Sequence, residues 1–95
     1  MDYLTQVRGI VMEGLKGHRA KVYLFGSRSR GDARRWSDVD VAVLPLEPLP
    51  RNLLGEIREA LEESKVPYTV DVVDLSQADA SFKEAVEREG VLWTN

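Results

Sequence analysis

Residues 38–44, DVDVAVL, place a valine at every second position from 39 to 43. That period of two predicts a β-strand with Val39, Val41 and Val43 on one face and Asp38, Asp40 and Ala42 on the other. A half-buried strand has no structural need for two aspartates so placed. A second valine-rich run, YTVDVVDL at 68–75, again carries an acid, Asp71, among Val70, Val72 and Val73. Two acid-bearing strands in one short chain restrict the fold to a small sheet, one face apolar and the other charged.

The remaining elements are those needed to cover such a sheet. Leu4, Val7, Val11 and Leu15, with Ile10 beside them, recur at helical spacing, and Gly17 ends that helix. AKVYLF at 20–25 reads as a strand stopped by Gly26, and Ser27 could cap a short helix over 27–35. The proline-rich PLEPLP is a connector. A second amphipathic helix follows, with Leu53, Leu54, Ile57 and Leu61 as its apolar stripe and an acidic outer face. A third helix runs from Asp79 to Glu89 with Gly90 as its C-terminal cap, and VLWT adds an edge strand. The fold class is α/β (α+β): a small mixed sheet of three to four strands, with helices packed mainly on one face. The full helix between the second and third strands makes that pair parallel.

Composition sets outer limits. Ninety-five residues form a single domain, 1–95, without room for separate catalytic and acceptor-binding domains. Apolar runs of about five residues span no membrane, and the N-terminus lacks the layout of a signal peptide. There is no cysteine, so there is neither a disulfide framework nor a thiolate metal site. The expected location is cytoplasmic. The net charge is −3, yet residues 26–37 hold Arg28, Arg30, Arg34 and Arg35 against Asp32 alone. A basic island on an acidic protein suits a compact anion better than a long nucleic-acid track. On charge alone, a solvated arginine-rich loop is the simpler account.

The acids shift that balance. Asp38 and Asp40 have Cα atoms roughly 7 Å apart on one strand face. Asp71, if its valine neighbours share the core with Val39 and Val41, faces the same way. Crowded carboxylates resist joint ionisation, so something positive must compensate. Hard divalent cations take oxygen ligands, and magnesium commonly binds a few carboxylates together with substrate phosphates. Two such ions can hold the attacking and leaving oxygens of an in-line displacement. Upstream, Gly26 permits close backbone approach, Ser27 offers a hydroxyl and following amides, and Arg28 or Arg30 can bond phosphate oxygens. Asp74 is a rival for the third acid, but three residues on it faces the opposite side of an unbroken strand.

In sequence order, GSRSRGDARRWSDVDVAV followed by a valine-flanked aspartate resembles the minimal nucleotidyltransferases of the DNA polymerase β-like superfamily. The resemblance rests on Gly26, Ser27, Arg30, Gly31, Ser37, Asp38, Asp40 and Asp71 and extends over nearly the whole chain. Ser29 and Trp36 depart from the usual pattern. Trp36 is either a contact for a base or partner, or a side chain folded back on the second strand. The resemblance implies a polymerase β palm-like fold and transfer of AMP from ATP to a hydroxyl. Asp38 and Asp40 would bind two Mg2+ ions, with Mn2+ as a substitute. Asp71 would bind the catalytic ion and help deprotonate the hydroxyl.

Minimal members pair with a helical HEPN toxin of ribonuclease type, and the nucleotidyltransferase acts as antitoxin by AMPylating a toxin tyrosine. A partner, or a second copy in a homo-oligomer, would supply the acceptor side. A binding-only antitoxin and a small-molecule nucleotidyltransferase are the alternative functions. A template-directed polymerase is not expected, since no duplex-binding surface is evident. His18 reads as a surface residue. Tyr23, Phe25, Phe82 and Trp93 read as core. Asp32, Arg34 and Arg35 suit a solvated loop as well as a contact with substrate or partner.

Overall fold

The computed structural model describes residues 3–25, 38–67 and 69–94. Its elements in chain order are α1 (Tyr3–Gly14), β1 (Ala20–Phe25), β2 (Asp38–Pro45), α2 (Leu53–Glu63), β3 (Thr69–Asp74), a 3-10 turn (Leu75–Gln77), α3 (Ala80–Glu89) and β4 (Val91–Leu92). The predicted short helix over 27–35 falls outside the described residues. The four strands form one mixed sheet in the order β3-β2-β1-β4. β1 pairs antiparallel with both β2 and β4, and β2 pairs parallel with β3. The parallel pair follows from its connection, because a helical crossover carries the chain back to the end of the sheet at which β2 began.

One face of the sheet is covered by α1 and α2. Val22, Leu24, Val39, Val41, Val43 and Val72 meet Val7, Val11 and Leu15 of the first helix and its turn, and Leu54, Ile57 and Leu61 of the second. These are the periodic apolar positions of the sequence, brought together to remove their side chains from water. The helices pack closely. A β-carbon placed on Gly14 would overlap the buried side chain of Ile57, so glycine there sets the α1–α2 approach. Gly17, at φ 85°, takes the left-handed conformation that turns the chain out of α1.

The second face carries a smaller core of Tyr23, Ala42, Leu75 and Val86, flanked by Phe25, Leu44 and Ala78. It is covered by α3 and the 3-10 turn, so among the described residues two α-helices lie on one face and one on the other. Asp79 caps α3, accepting a hydrogen bond of 2.8 Å from the Phe82 amide. Gly90 stands at the end of α3 as expected, but with extended backbone. A side chain there would press 2.7 Å from the Val86 carbonyl and 3.2 Å from that of Leu24, so tight packing on β1 selects glycine. Phe82, expected in the core, is 37% exposed and meets Phe25 edge-on, with ring centroids 5.6 Å apart. α3 is a thin cover here, and only Val86 of its residues is fully inside. Trp93 packs partly against the larger core, and Tyr23 is buried.

Candidate active site

The acids come together through strand register. In the parallel ladder Asp40 stands directly opposite Asp71, and on the antiparallel side it stands opposite Phe25. Adjacent strands lie about 4.8 Å apart, so the two aspartates are nearest neighbours across the sheet. Both project from the second face. Val39 and Val41 beside Asp40 are wholly buried in the larger core, and Val72 beside Asp71 is nearly so. Alternation therefore turns both carboxylates away from that core. Asp71 is exposed and Asp40 half-buried. Thirty-one residues separate them in the chain, and a single rung of the ladder joins them in space.

Asp38 opens β2, with its backbone opposite Thr69, two positions along from Asp40. Gly26, Ser27, Arg28 and Arg30 lie outside the described residues, as do Gly31, Asp32, Arg34, Arg35, Trp36 and Ser37. The ends that hold this segment are both described. It leaves β1 after Phe25 and re-enters the sheet at Asp38, so both anchors stand at the acid-bearing end of the sheet.

Asp74 is not part of the constellation. It ends β3 opposite Val43, out of phase with Asp71, and its Oδ1 accepts from the Ser76 amide at 2.9 Å and the Ser76 hydroxyl at 2.6 Å. It caps the 3-10 turn, a structural task that a short acid at a strand end performs well. Tyr23, two residues before Phe25 on the same face, has its hydroxyl pKa raised, first by burial and then by the charge of Glu87. It stays neutral well into the alkaline range.

Sequence reading missed one residue of consequence. Arg58 belongs to the outer face of α2, yet its guanidinium donates to the Val72 carbonyl through Nε (3.2 Å) and Nη2 (2.7 Å). Nothing local in the sequence announces this contact, because the acceptor is a backbone oxygen fourteen residues on.

The family model described as polymerase beta, nucleotidyltransferase matches residues 15–94, which include every strand. The chain belongs to the polymerase β nucleotidyltransferase family. Within that family it is 38% identical over 73 residues to the protein adenylyltransferase MntA of Shewanella oneidensis, covering 76% of this chain and 52% of that one. It spans 52 to 59% of the length of the curated relatives it matches. Among solved structures, a toxin–antitoxin complex with AMP-PNP superposes with a TM-score of 0.70 at 30% identity, over 93% of this chain and 73% of the other. A complex of tri-AMPylated HEPN toxin with MNT antitoxin, also from Shewanella oneidensis, gives a TM-score of 0.69 at 26% identity, over 98% and 71%. The fold of these neighbours is thus shared with the mixed sheet and helices described above.

The residues present suit a divalent cation. Two carboxylates abreast on one ladder supply hard oxygen donors, the ligand type that magnesium or manganese accepts. Among the described residues, no cluster of three or more such side chains is gathered. Asp40 and Asp71 are two of the three acids expected. No helix among the described residues is long and apolar enough to cross a membrane.

Proposed function

We propose that this chain is a single minimal nucleotidyltransferase domain that transfers AMP from ATP to a hydroxyl, the acceptor being a tyrosine of a HEPN-type toxin for which it serves as antitoxin. The observation that carries the reading is the register of Asp40 against Asp71 on the sheet face away from the larger core. The similarity to an adenylyltransferase and to complexes holding AMP-PNP or an AMPylated toxin supports the choice of donor and acceptor.

Asp38, Asp40 and Asp71 are the residues that would hold magnesium, as two ions, or manganese in its place. When bound, the metal neutralises phosphate charge and lowers the pKa of a coordinated hydroxyl. The chain's own groups do the rest. Asp71, exposed at the rim, accepts the proton of the acceptor hydroxyl. The hydroxyl oxygen forms a bond to the α-phosphorus, the bond from that phosphorus to the bridging oxygen breaks, and pyrophosphate leaves with that oxygen. Gly26, Ser27, Arg28 and Arg30 receive the triphosphate, through backbone amides, a hydroxyl and charge-assisted hydrogen bonds. Phe25, wedged against Phe82, fixes the end of β1 from which that segment departs.

The test is transfer of label from α-labelled ATP to the HEPN-type partner in magnesium. Wild type should label the partner, and the double change Asp38→Asn with Asp40→Asn should abolish labelling. Toxin neutralisation that survives this change, with no label transferred by wild type, would instead establish a binding-only antitoxin. Efficient labelling of a free hydroxyl compound without the partner would establish a small-molecule enzyme.

A further inference from the structure

We propose that Arg58 is a positioning residue for Asp71, acting through the backbone of β3. The inference rests on the functional reading above, in which the Asp71 carboxylate must be held in place against Asp40.

β3 is the outermost strand on its side of the sheet. Half of its backbone groups therefore point away from β2 and have no strand to receive them. The Val72 carbonyl is one of these, and Arg58 reaches it from α2 with two donors. A guanidinium fork on one carbonyl is a charge-assisted grip with fixed geometry. Val72 directly follows Asp71, and its side chain is buried among the valines and leucines of the larger core. The chain at Asp71 is thus held on three sides: by the ladder to Asp40, by the buried Val72 side chain, and by the clamped Val72 carbonyl. Arg58, Thr69, Asp71 and Val72 also line one hollow of about 450 Å³ at the α2–β3 edge.

The grip is not required to satisfy the carbonyl. A carbonyl on the outer edge of a sheet can bond water instead, and ordering a long arginine offsets much of what the contact contributes to stability. What Arg58 adds is restraint. Without it β3 keeps the ladder to β2 and the buried Val72 side chain but loses the clamp on its outer edge, and the carboxylate samples positions around the one that chemistry needs. Misplacement of a reacting group by about 1 Å can lower a rate by up to about 100-fold.

The experiment compares wild type, Arg58→Ala, Arg58→Lys and Asp71→Asn in label transfer to the HEPN-type partner, with amide hydrogen exchange measured on the free protein. Arg58→Ala should lower kcat by roughly tenfold while KM for ATP stays within about twofold. Arg58→Lys, which keeps one charged donor, should recover part of the loss. Amides of β3 should exchange faster in Arg58→Ala, whereas those of β1 should not change. A kcat equal to wild type in Arg58→Ala, with Asp71→Asn inactive, overturns this inference and leaves the catalytic reading standing. Full activity in Asp71→Asn overturns both. A loss in Arg58→Ala that appears in KM alone, or that Arg58→Lys does not relieve, assigns the residue a role in binding or folding and overturns the positioning role.

Discussion

The two faces of the sheet are built from the same strands and solve different problems. The face under α1 and α2 is lined by valines of β1, β2 and β3 that are nearly or wholly inaccessible to water. The opposite face has a small core at one end, and at the other two aspartates stand directly across from each other. Like charges directly opposite one another on neighbouring strands weaken the pairing. One face therefore supplies the stability that lets the other keep a destabilising pair. A strand that alternates valine with aspartate serves both purposes at once, which is why a chain this short can hold a site at all.

That division can be broken from either side. The largest effect belongs to the acid face. Asp71→Asn should lower adenylyl transfer by at least about 10³-fold, roughly 4 kcal/mol of transition-state stabilisation. The same variant should unfold at an unchanged or slightly higher temperature, since it removes one of two facing charges. A calorimetric melt beside the rate measurement checks both. Next comes the apolar face. Ile57, 2% exposed between α1 and the sheet, should cost about 2–5 kcal/mol when changed to alanine. The rate per folded molecule should stay near wild type, as read from denaturant unfolding and active-fraction assays. A stable but slow Ile57→Ala would show that the two faces are not independent.

The smallest effect concerns Tyr23, which lies under α3. Its pKa is raised in the folded protein, by burial and then by Glu87, so the folded state favours the neutral phenol. The stability this contributes is fully present below the unfolded tyrosine pKa of about 10 and is lost as pH rises through the higher folded value. Tyr23→Phe should therefore flatten the fall in denaturant midpoint between pH 9 and pH 11, by an amount small beside that of Ile57→Ala.

How much of this was legible in the sequence differs by face and by range. The valine alternation placed β2 and the orientation of Asp40 and Asp71, because a period of two encodes a face directly. The apolar stripes placed α1 and α2, and AKVYLF gave β1 with its observed bounds. The end of β3 was less visible. A run read to residue 75 stops at Asp74, because Asp74 bonds Ser76 and starts a 3-10 turn in preference to a further rung. Phe82 was misread as core because hydrophobicity does not reveal how thinly a helix covers a sheet. Arg58 was invisible because a side chain bonded to a remote backbone oxygen leaves no pattern in the residues around it.

The claim on which everything depends is that Asp40 and Asp71 work as one site. A double-mutant cycle on label transfer tests it, with wild type, Asp40→Asn, Asp71→Asn and the pair together. Groups that act as a unit are strongly non-additive, so the double variant should be within about threefold of the slower single variant. Losses that multiply would show two carboxylates acting independently, and would contradict the account.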